Sequence, residues 1–420
     1  MKNSIALTPP MGWNSFDCYD LAATEEDILG NAEYMARHLK NLGWEYVVLD
    51  MSWYDPASAA WGRGGVPLII DEYGRYQPCP VKFPSSIGGK GLKPLADQIH
   101  ALGLKFGIHI MRGISRQAVR QNSPILGTEY RAQDIADTRS VCAWWDQSYG
   151  INPEKDGAQE WYDSNLRLYA EWEVDFIKAD DMSSPYVAGE IELVRKAIDK
   201  CGRDIVLSLS PGEAPVQMAE HLKQHANLWR ISADFWDEWS QLRKMFDLLE
   251  KWIPHMGPGH WPDADMLPLG AISIRRNPPK PPRFTRFSTE EQRTLMTLWC
   301  IAKSPLMFGG DLRVLDPWTI SLITNRDVLE MHRSTKENRV LFHSDYGVVW
   351  AAKAEGVVYL ALFNTSELEE VQMSVNLTGV GIHGTVRVME LWTREDLGMV
   401  RDRIQTVVPP HGTKLYKLQG

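Results

Sequence analysis

The sequence predicts a (β/α)8 TIM barrel followed by a C-terminal antiparallel β-sandwich. Three observations carry this. Short apolar runs alternate with amphipathic helical stretches through the first three quarters of the 420 residues, the pattern of a parallel sheet wrapped by helices. Eight such units close the sheet into a barrel. From about residue 338 the pattern changes to short strand-like runs separated by Gly, Asn and Asp turns, as an antiparallel sandwich requires.

The barrel strands are read at 10–14, 46–50, 105–111, 175–180, 204–210 and 227–234, with weaker patterns at 259–266 and 305–309. Helical patterns lie between them at 25–42, 92–102, 157–172, 188–200, 214–225, 238–251 and 289–302. Sandwich strands are expected at 340–343, 347–352, 357–363, 371–376, 385–390 and 406–408. The division falls between a barrel domain at 1–333 and a sandwich at 334–420, with the boundary segment at 331–337. A Pro-rich stretch at 277–283 (NPPKPPR) reads as a stiff extended loop after the seventh strand.

A formal net charge of −9 argues against nucleic acid or an anionic membrane as the main partner. No apolar run is long enough to span a bilayer and the first ten residues lack a signal-peptide core, so a cytoplasmic location is expected. The five cysteines are scattered, with no C-x-x-C pair, and imply neither a disulfide framework nor a zinc site. No cofactor or metal is called for. Seventeen tryptophans are many for this length; flat aromatic faces stack on sugar C–H faces, but most tryptophan in a barrel is expected in the core.

Chemistry gathers at the strand ends, which in a barrel converge on one face. Asp50 ends the second run, His109 lies in the third, Lys178 and Asp180 end the fourth, Ser210 the fifth, Arg230 and Asp234 the sixth, and Asp263 and Asp265 follow the seventh. Alternate strand residues share a face, so Lys178 and Asp180 point the same way, as do Arg230, Ser232 and Asp234. A lysine beside Asp180 favours its ionised form, as a nucleophile needs. Two carboxylates facing one another across such a site are what splitting a glycosidic bond requires, one ionised and the other protonated. Each has a plainer reading as a helix N-cap or an ion-pair partner; their concurrence favours the chemical one.

Several motifs then make the chain resemble glycoside hydrolase family 27, the retaining α-galactosidases and α-N-acetylgalactosaminidases. They are Pro-Pro-Met-Gly-Trp-Asn-Ser at 9–15, Leu49-Asp50 with Trp53, Tyr73-Gly74-Arg75 with Lys82-Phe83-Pro84, and Gly-Leu-Lys-Phe-Gly-Ile at 103–108. Lys178-Ala179-Asp180, Trp229-Arg230 with Asp234, Trp-Pro-Asp-Ala-Asp-Met at 261–266, and Ser304-Pro305-Leu306 with Asp311-Leu312-Arg313 complete the set in family order. The resemblance implies Asp180 as nucleophile and Asp234 as general acid/base, with carboxyl groups about 5–5.5 Å apart. It implies that Lys178, Arg230, Asp50 and Asp265 contact sugar hydroxyls, and that no metal takes part.

The departures from the family cluster in the pocket. In the family a second aspartate usually follows the one at Asp50, the pair gripping the 4- and 6-hydroxyls of galactose; here it is Met51, which accepts no hydroxyl hydrogen bond. Phe16 stands for a tryptophan, His109 for a tyrosine, and Ser210 for the glutamate of galactosidases, a small residue as in the N-acetylgalactosaminidases. A long segment at 112–156, carrying Trp144, Trp145 and Tyr149, reads either as a loop with its own hydrophobic cluster or as an aromatic wall on the substrate face. The reading is thus a retaining exo-glycosidase acting on a terminal α-galactosyl-type residue. The alternatives are a β-L-arabinopyranosidase, whose sugar lacks the 6-hydroxymethyl group, and a non-catalytic carbohydrate-binding protein on the same scaffold. A metal-dependent transferase using Asp263-x-Asp265 lacks a nucleotide-binding segment. Oligomeric state stays open.

Overall fold

The computed structural model describes residues 4–58, 66–276 and 281–420. Within them eight parallel strands form one sheet: β1 (Met11–Asn14), β2 (Tyr46–Leu49), β3 (Lys105–Met111), β4 (Phe176–Asp180), β5 (Val206–Leu209), β6 (Leu228–Arg230), β7 (Trp261–Asp263) and β8 (Leu306–Phe308). Their order is β7-β6-β5-β4-β3-β2-β1-β8. A parallel bridge between Leu267 and Phe308 joins the two ends, with Leu267 N–H donating to Met307 O and Gly309 N–H to Leu267 O. The sheet thereby curls into the expected barrel.

Nearly every strand residue is buried, because helices cover the outer face and side chains fill the inner one. Close strand approach sets the sequence locally: a Cβ at Gly12 would lie 2.3 Å from the Tyr46 carbonyl oxygen. The covering helices start where the chain supplies caps. Thr24 with Asp27 opens Glu25–His38, and Ser288 with Glu291 opens Thr289–Ile301, each as a reciprocal capping box.

Several expectations shift. The sixth strand stops at Arg230 rather than running to Asp234, so Asp234 reaches the site from a loop and not by strand alternation. At 214–225 the helix is a 3-10 turn, Val216–Met218, leading into Ala219–His225. The boundary segment at 331–337 is the end of helix Arg326–Ser334 and the start of a strand at Lys336. The 112–156 segment contains a three-stranded antiparallel ribbon of Ile114–Ser115, Ser148–Ile151 and Ala136–Val141. Of the Pro-rich stretch, residues 277–280 lie outside the described residues; Arg283–Phe284 pairs with Ala271–Ile272.

The C-terminal part holds β9 (Lys336–His343), β10 (Gly347–Ala354), β11 (Val357–Asn364), β12 (Val371–Asn376), β13 (Thr385–Glu390), β14 (Asp396–Arg401), β15 (Arg403–Val408) and β16 (Thr413–Gln419). A six-stranded antiparallel sheet, β9-β10-β11-β16-β13-β14, stacks on the β12-β15 pair. Strand alternation splits β10 cleanly: Val348, Trp350 and Ala352 join the barrel's hydrophobic core, whereas Val349 and Ala351 face the second sheet. β14 and β16 had no counterpart in the sequence reading. β14 is mostly exposed and carries Gly398, and Lys414 and Lys417 interrupt the apolar run of β16.

Candidate active site

The C-terminal ends of the barrel strands surround a pocket of ≈ 150 Å³, below the ~300–1,000 Å³ usual for drug-sized ligands. Phe16, Asp50, Met51, Lys178, Asp180, Ser210, Arg230, Asp234 and Asp265 all line it, together with Trp144 and Trp236. Every expected site residue except His109 is on this wall. His109 is fully buried behind Asp180.

Asp180 closes β4 and is buried. Its Oδ2 lies 2.8 Å from His109 Nε2. An ionised carboxylate only accepts, so Nε2 carries the proton. Oδ1 has no hydrogen-bond partner among the described residues. Burial alone would raise the Asp180 pKa, but the His109 hydrogen bond, then the charges of His109 and Lys178, outweigh it and hold it below the usual carboxylate value. The direct partner of Asp180 is therefore His109. Lys178 acts at longer range, because its Nζ donates to Asp50 Oδ2 at 2.8 Å.

Asp50, just past β2, is held from three sides. Lys178 Nζ and Asn14 Nδ2 both donate to Oδ2 at 2.8 Å, and the Met51 N–H donates to Oδ1 at 2.8 Å. Burial opposes ionisation, but Lys178 and His109 bring its pKa down to about 2. A carboxylate has about four lone-pair sites, so Oδ1 can still accept from a ligand. Met51 beside it is buried and offers no such acceptor.

The opposite wall is organised by Arg230. One Nη forms an ion pair with Asp265 at 2.7 Å and donates to Ala233 O at 2.7 Å, and Asp234 Oδ1 lies 3.4 Å away. Asp265 also accepts from the Phe235 N–H at 2.8 Å, and Asp263 from the Asp265 N–H at 2.9 Å. Both carboxylates of the D-x-D thus serve protein donors. Among the described residues no group of three or more His, Cys, Asp or Glu side chains is arranged to hold a metal ion. Asp234 differs from Asp180 in kind: its side chain is 56% exposed at the pocket mouth. Desolvation in the cleft first, then the charges of Asp265 and Asp180, nonetheless raise its pKa against the charge of Arg230. The two acids are pushed apart in opposite directions, the condition for one ionised and one protonated group.

Similarity to known proteins bears on this geometry. The family model described as alpha galactosidase A matches residues 146–334, and that described as alpha galactosidase C-terminal beta sandwich domain matches 344–418. A family 27 β-L-arabinopyranosidase from Geobacillus stearothermophilus, solved with arabinose, is 51% identical with a TM-score of 0.97, over 100% of this chain and 99% of that one. The chain belongs to glycoside hydrolase family 27. A second family-like structure, from Bacillus halodurans and provisionally named an α-N-acetylgalactosaminidase, is 48% identical with a TM-score of 0.90, over 99% of this chain and 98% of that one. The α-galactosidase of Coffea arabica is 28% identical over 100% of this chain and 95% of its own. As a family 27 member the protein is a glycosidase, and its substrate is a carbohydrate.

Within this family 27 pocket, Asp17, Phe235, Trp236 and Met266 also line the wall and were not singled out from the sequence. Phe235 and Trp236 adjoin Asp234, so a search along the loop after the sixth strand could have found them. Asp17 reads as an ordinary acid in the first turn of helix Phe16–Tyr19. Of the aromatic segment at 144–149, Trp144 reaches the pocket, Trp145 is buried, and Tyr149 stacks with Arg116. Both readings of that segment are thus realised, by different residues.

Proposed function

We propose that this glycosidase removes a terminal sugar of galactose-type ring configuration with retention, and that β-L-arabinopyranose is the glycone its pocket fits best. The observation that carries the choice of sugar is Met51. A buried sugar hydroxyl left without a partner costs about 1–3 kcal/mol, so a ring without the 6-hydroxymethyl group loses nothing against a thioether and gains apolar contact. The Geobacillus relative, at 51% identity over nearly the whole length, supports this choice. α-Galactosides are the second reading, supported by the family models and the plant relative. They would react by the same steps with weaker contact at the 6-position.

Asp180 attacks the anomeric carbon through its unpartnered Oδ1 while Asp234 protonates the leaving oxygen. Water, deprotonated by Asp234, then releases the sugar from Asp180 with configuration retained. Lys178 and Asp50 grip hydroxyls on one side of the ring. Arg230 and Asp265 hold the other, and Ser210 leaves room beside Arg230. The test is hydrolysis of aryl β-L-arabinopyranoside, α-galactoside, α-N-acetylgalactosaminide and α-glucoside, with Asp180→Asn as blank and Met51→Asp alongside. The expected order puts the arabinopyranoside first. Met51→Asp should shift the ratio toward the α-galactoside by about 10- to 100-fold, the scale of one buried hydrogen bond. Turnover of the α-galactoside alone would reverse the choice of sugar. Binding without turnover on all four would favour the non-catalytic reading.

A further inference from the structure

We propose that Asp17 is an additional contact for the bound sugar, donating a hydrogen bond to a ring hydroxyl along the stretch of wall between Asp50 and Asp265. This rests on the reading that a sugar ring occupies the pocket.

Asp17 follows β1 and lines the same cavity as Asp50, Met51, Lys178 and Asp265. It is 5% exposed, and its Oδ2 is buried with no hydrogen-bond partner among the described residues. Buried polar atoms are rarely left so, and each one calls for an explanation. The other carboxylates on this wall have basic partners: Asp50 has Lys178, Asp180 has His109, and Asp234 and Asp265 have Arg230. Asp17 forms no ion pair among the described residues.

The space for this carboxyl is built into the neighbouring strand end. A Cβ on Gly309, just past β8, would stand 2.0 Å from Asp17 Oδ2, so glycine there is what admits the side chain. Barrel order places β1 and β8 between β7 and β2, which sets Asp17 between Asp265 and Asp50. The other wall residues of that arc are Phe16, Met51 and Met266, which offer a hydroxyl no hydrogen bond.

The charge state suits a donor. Burial first, then the negative charges of Asp265, Asp50 and Asp234, raise the Asp17 pKa well above the ordinary value against the pull of Lys178. A neutral carboxyl has one O–H to give and can also accept, so it can engage a sugar hydroxyl from both sides.

The test is a substrate–enzyme double-mutant cycle. Wild type, Asp17→Leu and Asp17→Asn are assayed on the best aryl glycoside and on its 2-, 3- and 4-deoxy analogues, with rates normalised to sites titrated by a fluoroglycosyl inactivator. On the parent substrate Asp17→Leu should lose about 10- to 100-fold in kcat/KM, and Asp17→Asn, which keeps a donor, much less. On one deoxy analogue wild type and Asp17→Leu should agree to about twofold, because the hydroxyl that Asp17 holds is gone. A loss of the same size on the parent and on all three analogues, or no loss on the parent, would overturn the proposal. If Asp17→Leu does not fold, the cycle run with Asp17→Ala decides. If wild type cleaves no glycoside, the reading of function fails separately, and the same cycle on monosaccharide Kd by calorimetry decides the role of Asp17.

Discussion

At the residue level, the feature that matters most is how differently two carboxyls are treated within one pocket. Asp180 is buried yet kept acidic, chiefly by the His109 hydrogen bond acting against burial. Asp234 is half exposed at the mouth yet raised, first by desolvation in the cleft and then by its acidic neighbours. On the proposed mechanism activity needs Asp180 ionised and Asp234 protonated, so the acid limb of a kcat/KM profile should report the first and the alkaline limb the second. Replacing His109 by Phe removes the interaction that outweighs burial. The acid limb should therefore move to higher pH while the alkaline limb stays; an unmoved acid limb would show that His109 does not hold the nucleophile ionised. Most of this site was legible because charged residues end so many apolar runs at once, which outweighs the plain N-cap or ion-pair reading each has alone. His109 was found as a site residue but placed against the sugar, since a sequence shows which strand carries a residue and not which neighbour stands in front of it. Asp17 stayed hidden because an acid in a helix's first turn already has an ordinary explanation.

At the element level, irregular connections do the positioning. β6 ends at Arg230, whose guanidinium donates to the carbonyls of Ser232 and Ala233. That capture curls the chain out of the sheet and swings Asp234 to the pocket mouth. Apolar periodicity cannot report a bend made by a side chain bonding its own backbone, so the predicted strand ran four residues too far. The ribbon that presents Trp144 is likewise pinned by one residue. Arg112 Nε and Nη2 donate to Asp181 at 2.9 and 2.7 Å, and Nη1 donates to Glu190 at 2.7 Å and to Ser140 of the ribbon at 2.9 Å. Tyr162 donates to Glu190 at 2.7 Å. Arg112 is 2% exposed, so Arg112→Met strands two buried carboxylates and should destabilise by about 3–5 kcal/mol in denaturant unfolding. Because Asp181 adjoins Asp180, kcat should fall as well. An unchanged midpoint would mean that solvent reaches the triad.

At the scale of the whole molecule, barrel and sandwich share one hydrophobic core through Val348, Trp350, Ala352 and Phe363. Trp239 of the barrel stacks on His411 of the sandwich, ring centroids 3.7 Å apart. The two-domain outline was legible from the change of pattern near residue 338. The edge strand β14 was not, since an exposed strand buries too little to print an alternation. Among the described residues eight tryptophans, including Trp13, Trp229 and Trp350, are fully buried, so about half of that abundance is a statement about packing. The shared core also carries a pH dependence. His332 is fully buried beneath the eighth strand, its Nε2 2.8 Å from Ser304 O. Burial takes its pKa down to about 3 from 6.5. Between those values the unfolded chain binds a proton that the folded one does not, so stability is complete above about pH 6.5 and declines as pH falls toward 3. His332→Gln should flatten that part of the denaturation-midpoint profile; an identical slope would assign the acid sensitivity elsewhere.

The central claim, that Asp180 forms a glycosyl–enzyme bond, is tested most directly by trapping. The protein would be treated with a 2-deoxy-2-fluoro-β-L-arabinopyranosyl fluoride, which slows both steps of a double displacement, and read by intact mass and peptide sequencing. One sugar per chain, carried on Asp180 and lost again on transfer to an added alcohol, is the predicted result. A stable adduct on any other carboxylate, or turnover of the substrate with inversion and no adduct, would contradict the account.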